Sequence, residues 1–201
     1  TTSEKFQAVG AIATSVAVVV ALFAAPIAKR WSRPRLGLNF RMQQPFIVKA
    51  GNQYFVRVLV SNESSGTRDQ IMDAQVYAGQ LSRLSWDQKS EELLDDSSPM
   101  NLVWAHSEHT TSMLFPASNR FCDVLILEDT ANGPRFRIAV ESHGYRRVQR
   151  AAGKYALELR IGAANADPIF TKVEFELINC KRLPSNVQLI DRALKFRLLR
   201  G

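Results

Sequence analysis

Cysteine is scarce: Cys122 and Cys180 are the only two in 201 residues, so at most one disulfide can form. In a cytoplasmic domain both are expected as reduced, buried thiols; outside the cell the pair could bridge, so their state bears on topology. Histidine is scarcer than a metal site needs. His106 and His109 lie three apart, but the only further ligands are His143 and the two cysteines at long range, so the histidines are expected on loops and no metal is expected. The chain also lacks a phosphate-binding loop, a G-x-S-x-G elbow and an H-E-x-x-H pair. No group of titratable residues has a spacing that catalysis requires. The expectation is a protein that is not an enzyme, with no catalytic residue and no cofactor.

Acidic residues are outnumbered, 19 against 26 basic, for a net charge of +7. A nucleic-acid binder would gather that excess into one stripe. Here it is split between residues 29–35, the neighbourhood of Arg146, Arg147 and Arg150, and the carboxyl end. No nucleic acid and no small-molecule substrate is implied. A basic collar facing anionic lipid explains the first cluster equally well.

One stretch lacks charge altogether. Residues 8–28, AVGAIATSVAVVVALFAAPIA, hold no Asp, Glu, Lys or Arg. A helix of that length spans roughly 30 Å, the thickness of a hydrocarbon core. Lys29, Arg30, Trp31, Arg33 and Arg35 follow directly, a cationic and aromatic collar suited to a membrane anchor. A secretory signal would carry its positive charge before the apolar run, where only Lys5 stands, offset by Glu4. A buried core helix would show a polar face, yet only Thr14 and Ser15 interrupt. The sequence therefore predicts a flank at 1–6, a single transmembrane helix over 7–28 and a juxtamembrane linker over 29–35. The basic side belongs in the cytoplasm, so the amino terminus is expected outside the inner membrane and the rest of the chain inside. Ala13, Ala17, Ala21 and Ala25 recur every fourth residue and form a small-residue ridge against which another helix can pack. The competing explanation, that alanine is common in such spans, is about as strong.

Beyond the linker the pattern changes to a period of two. Leu36, Leu38 and Phe40 alternate with polar neighbours. Strands are expected over 53–61, 71–78, 81–86, 100–105, 120–127 and 135–141, separated by turn clusters such as Asn62-Glu63-Ser64-Ser65-Gly66 and Asn132-Gly133-Pro134. The clearest alternation comes last. Tyr155, Leu157, Leu159 and Ile161 point one way with Glu158 and Arg160 opposite; Thr171, Val173, Phe175 and Leu177 point one way with Lys172, Glu174 and Glu176 opposite. Residues 87–99 are expected as an acidic loop, either a solvated connection or a docking site for a basic partner. Eight or nine short strands without an internal helix predict a mainly β domain over 36–180, an antiparallel β-sandwich of immunoglobulin-like type. The antibody Cys-Trp-Cys order is missing, because Trp104 precedes both cysteines.

Four segments in order, YFVRVLVSN (54–62), DAQVYAGQL (73–81), PMNLVWAH (99–106) and FPASNRFCDVLIL (115–127), give the chain a resemblance over roughly residues 30–130. It resembles a bacterial family of uncharacterised proteins with an amino-terminal span and a β-sandwich. The resemblance implies fold and topology, and no catalytic residue.

Residues 181–201 are expected as a basic tail. Val187, Ile190, Leu194 and Leu198 recur at near-helical spacing, but Leu189 and Phe196 spoil the face, and LKFRLLR also suits an edge strand. The tail either packs on its own domain or reaches a membrane surface or a neighbouring subunit through Arg192, Lys195, Arg197 and Arg200. Three functions remain. The first is a non-catalytic, membrane-anchored accessory subunit that binds other membrane protein subunits. Bioenergetic and photosynthetic complexes carry small subunits of this kind, though no residue names the host. The second is a tethered binding or sensory module, and the third an enzyme with a loop-built site.

Overall fold

A computed structural model describes Thr14, Ala17, Val18 and residues 20–24, then 33–64, 70–85, 91–95, 99–107, 109–140 and 149–199. The chain divides into two compact units, Thr1–Arg33 and Pro34–Gly201. In the first, the described residues from Thr14 to Ala24 are helical and solvent-exposed. Among the described residues no helix is long and apolar enough to cross a membrane. The expected span over 7–28 falls largely outside the described residues, as do Ala13, Ala25, Lys29, Arg30 and Trp31 of the proposed ridge and collar.

The second unit is mainly β. Its strands are β1 (Leu36–Asn39), β2 (Ile47–Ala50), β3 (Gln53–Asn62), β4 (Ile71–Leu84), β5 (Glu91–Asp95), β6 (Met100–Asn101), β7 (Ser112–Leu114), β8 (Asn119–Thr130), β9 (Gly133–Ile138), β10 (Gly153–Gly162), β11 (Ile169–Leu177) and β12 (Leu194–Leu199). All pairings are antiparallel and build two sheets. The first runs β1-β3-β8-β9, with β2 also on β3. The second runs β12-β11-β10-β4-β5, with β6 and β7 also on β4.

The inner faces are those the alternation marks. Tyr155, Leu157, Leu159 and Ile161 of β10, with Val173, Phe175 and Leu177 of β11, are buried. Across from them lie Tyr54, Val56, Val58 and Val60 of β3, in the same apolar cluster. Aromatic rings join the sheets: Phe136 of β9 meets Tyr155 at 4.7 Å and Phe175 at 4.9 Å, both edge-on. Such edge contacts add about 0.5–1.5 kcal/mol to the area each ring removes from water.

Four expectations need correction. The strands expected over 71–78 and 81–86 are one strand, β4. Leu157 and Leu159 of β10 pair with Leu81 and Ala78, so Gly79 and Gln80 face a single partner residue. Gly79 lies at a bulge, which bends a strand without ending it. The acidic segment 87–99 is not a continuous loop, because Glu91–Asp95 pairs with the last turn-ward residues of β4. The short strands β2 and β7 were not expected. β2 and β3 meet through Gly51-Asn52, and Gly51 takes φ +59° at the first central position of a two-residue hairpin, where a side chain would be strained. Finally, the boundary at residue 180 lies inside the folded body. Residues 187–192 form a 3-10 turn capped by Asn186, and β12 pairs with β11 from Leu177↔Leu194 to Lys172↔Leu199. Leu183, Val187, Ile190, Leu194 and Phe196 are buried, and the Tyr54 hydroxyl donates to the Pro184 carbonyl.

Candidate functional site

Three places in the second unit gather chemistry. The first is the end where the preceding chain joins. Pro34 is buried, the Arg35 amide donates to Ser64 Oγ at 2.9 Å, and the Glu63 amide donates to the Arg35 carbonyl at 2.8 Å. Leu36 pairs with Asn62. The buried Asn62 amide then ties the two sheets together, its Nδ2 donating to the Leu114 carbonyl at 3.1 Å while its Oδ1 accepts from the Ser64 amide. Leu114 of β7 pairs with Ile71 of β4, and Ser112 with Ala74, so Met72 and Asp73 stand opposite Met113 alone. The extra residue leaves Asp73 at φ +53° and turns Met72 outward. Met72, Met113 and Phe115 are 47%, 60% and 56% exposed. Exposed methionine and phenylalanine beside one another mark adaptable contact surface more often than isolated apolar residues do.

The second place is a cavity of about 770 Å³ at the opposite end. β4 ends there at Leu84, β10 begins at Gly153 and β11 ends at Leu177. Arg83, Arg135 and Lys154 line it with Leu84, Pro134 and Ile178. Arg83 pairs with the inward-facing Tyr155, which carries it onto the inner face at the mouth between the sheets. Arg150 bridges to Phe136 through two backbone hydrogen bonds of 2.7 and 2.9 Å, and it is not one of the residues that line the cavity. Burial raises the Tyr155 hydroxyl pKa, and the nearby Arg83 and Arg150 charges pull against that rise. Its hydroxyl donates to the Ala151 carbonyl at 2.9 Å, so it stays protonated and bonded.

The third is an ionic pair on the outer face of the first sheet. Arg57 of β3 and Asp123 of β8 pair in register, with Arg57 Nε 2.7 Å from Asp123 Oδ1. They are only 7% and 9% exposed. His106, at φ +60°, places Nε2 3.4 Å from Arg57 Nη1. Burial raises the Asp123 carboxyl, against the opposing pull of Arg57 and His106. Its oxygen is held by Arg57, and no nucleophile accompanies the pair, so the arrangement reads as structural. Cys122, on the neighbouring position of β8, is fully buried; burial and then Asp123 push its thiol pKa well up, which keeps it unreactive.

Both cysteines are free. His109 is exposed, and among the described residues no group of His, Cys, Asp and Glu could hold a metal ion. Of the residues singled out in the sequence, Arg33, Arg35, Ala17 and Ala21 are exposed in their respective units, and so are Arg192, Lys195 and Arg197; Arg200 lies outside the described residues. Lys195 pairs with Glu176 at 3.3 Å. The cavity and the Met72–Met113–Phe115 patch were missed by sequence reasoning, because each gathers residues that are far apart in the chain. No family model matches the chain, and no curated protein does.

Proposed function

We propose that this protein is a non-catalytic, membrane-anchored accessory subunit that works by contact within a larger membrane complex. One observation carries the reading. Val18, Val20, Leu22 and Phe23 are helical, and each is between 53% and 65% exposed. Four large apolar side chains on neighbouring turns leave a helix without a polar side, and such a surface is stable only under lipid or another protein. The charge-free run 8–28 and the basic residues after it support a single pass through the inner membrane with the β domain on the cytoplasmic side. The exposed patch at the chain-junction end supplies a further contact surface, and the two-sheet body fits an immunoglobulin-like sandwich of the family the sequence resembles.

The test is sedimentation of the full chain from its native membrane in mild detergent. The expected result is a large particle containing other subunits in fixed ratio. Replacing Ala17 and Ala21 together by Leu should fill the ridge, keep the helix apolar and shift the protein to a smaller particle. A parent protein that sediments alone overturns the subunit reading. The tethered binding module then takes its place, a second reading that the cavity between the sheets favours.

A further inference from the structure

We propose that Met72, Met113 and Phe115 dip into the interfacial layer of the bilayer, so that lipid covers the exposed apolar patch at the chain-junction end. This names the partner of that surface and rests on the membrane-anchored reading above.

Three features carry it. The first is that the patch is held outward by fixed backbone. Met72 stands opposite Met113 in the bulge between β4 and β7, and Phe115 follows two residues after Met113 on the same exposed side. The β10–β11 turn pins Met72 from its other flank: Asn165 Oδ1 accepts from its amide at 2.9 Å, and the Ala164 amide donates to its carbonyl at 3.0 Å. Phe115 is fixed by Ser118, whose amide and hydroxyl donate to its carbonyl at 3.0 and 2.6 Å. Asp73 at φ +53° and Ala117 at φ +55° belong to these two bends, and they are two of the three non-glycine residues with positive φ among the described residues. An unfavourable backbone kept on both sides of an apolar patch marks a surface with a use outside the core.

The second is position. The Asn62 amide donates to the Ser118 carbonyl at 3.0 Å, which sets the turn after Phe115 beside the strand end where the chain enters at Pro34. In the sequence only residues 29–33 separate Pro34 from the charge-free run 8–28. An extended chain covers at most ~3.6 Å per residue, so the tether holds Pro34 within roughly 20 Å of the end of that run. The third is size and charge. A stable protein interface buries ~800 Å² on each partner, more than three half-exposed side chains supply, whereas a bilayer takes separate apolar tips without a matching shape. Arg120 Nη1 donates to Ser112 Oγ at 2.6 Å beside Met113. The rim is mixed, Arg35 and Arg120 against Glu63 and Asp73, all exposed, so the apolar tips and not net charge select the surface.

The chain has four methionines, Met42, Met72, Met100 and Met113, so methyl-labelled methionine reports on the patch and on the body at once. The test is methyl NMR of the full chain in phosphatidylcholine nanodiscs. A lipid with a nitroxide near the top of its acyl chain should broaden Met72 and Met113. Met42, beyond the far end of β1, and Met100, paired with Ala78 midway along β4, should stay sharp. A soluble gadolinium chelate should spare Met72 and Met113 despite their exposure. Replacing Met113→Ser together with Phe115→Ser should remove most of the lipid broadening at Met72, with unchanged Met42 and Met100 signals reporting an intact fold. Leu189→Ser, on the exposed 3-10 turn, should leave that broadening as in the parent. A chain that enters the nanodisc but leaves Met72 and Met113 open to the chelate overturns the lipid contact and leaves the anchor standing. Methyls shielded from both reagents assign the patch to a protein or a second copy and likewise overturn it. A chain that does not enter the nanodisc overturns both readings.

Discussion

At the junction end β4 starts at Ile71, and a bulge at once turns Met72 outward beside Met113 and Phe115. At the other end the same strand closes at Leu84 beside Arg83, which faces the mouth between the sheets. The first end is sealed by Asn62, whose amide bridges one sheet to the other, and its apolar residues point away from the core. The second is left open, and cations line the gap. One strand pairing thus finishes in a closed apolar surface and in an open charged cavity. The difference lies in what fills the space between the sheets: a satisfied amide at one end, and at the other a cavity lined by both cations and carboxylates. The closed end suits a partner that covers it, and the open end a ligand that enters it.

The largest effect should come from the aromatic cluster that supports the open end. Phe175 meets Phe136 at 4.9 Å and Tyr155 at 5.5 Å. Phe175→Ala should cost ~3–5 kcal/mol, read from urea unfolding. Glu174→Ala, one residue away on the outer face, should change little; the reverse order would break the assignment of faces. At the closed end, Asn62→Ala strands the Ser64 amide and the Leu114 carbonyl and should cost ~1–3 kcal/mol. A cost within ~0.5 kcal/mol, the ordinary surface value, would show that the two ends do not differ in the way described.

The smallest effect belongs to Asp123, away from both ends. Burial raises its carboxyl above the ordinary 3.8, and Arg57 and His106 offset the rise only in part. A carboxyl with a raised folded pKa adds stability that is complete below the unfolded value of 3.8 and is lost as pH rises through the folded one. Acidification from neutral pH into that window should therefore stabilise the parent relative to Asp123→Asn, which has no such titration. Urea midpoints of both proteins at matched pH check this, and a gap that moves the other way shows that Arg57 outweighs burial.

Truncation is not a clean probe of the carboxyl end. Deleting 185–201 would remove Val187, Ile190, Leu194 and Phe196 from the core together with a whole strand. The sequence hinted at this, since Leu194, Phe196 and Leu198 alternate with Lys195 and Arg197. A few residues carrying both a helical and an alternating pattern do not choose between them, and pairing with β11 made the choice. β7 escaped notice for a related reason: three residues are too few to establish a period.

The amino-acid order by itself determined the mainly β character of residues 36–180 and the inner faces of β10 and β11. A side-chain period of two is a local property of an extended backbone, and solvent sorts polar from apolar along it. Tertiary structure alone decided that Arg57 and Asp123, placed by the same alternation on an outer face, are nevertheless buried. It alone brought Arg83, Arg135, Arg150 and Lys154 to one end of the sheets. Residues so far apart in the chain share no local periodicity; strand register and sheet packing set their separation.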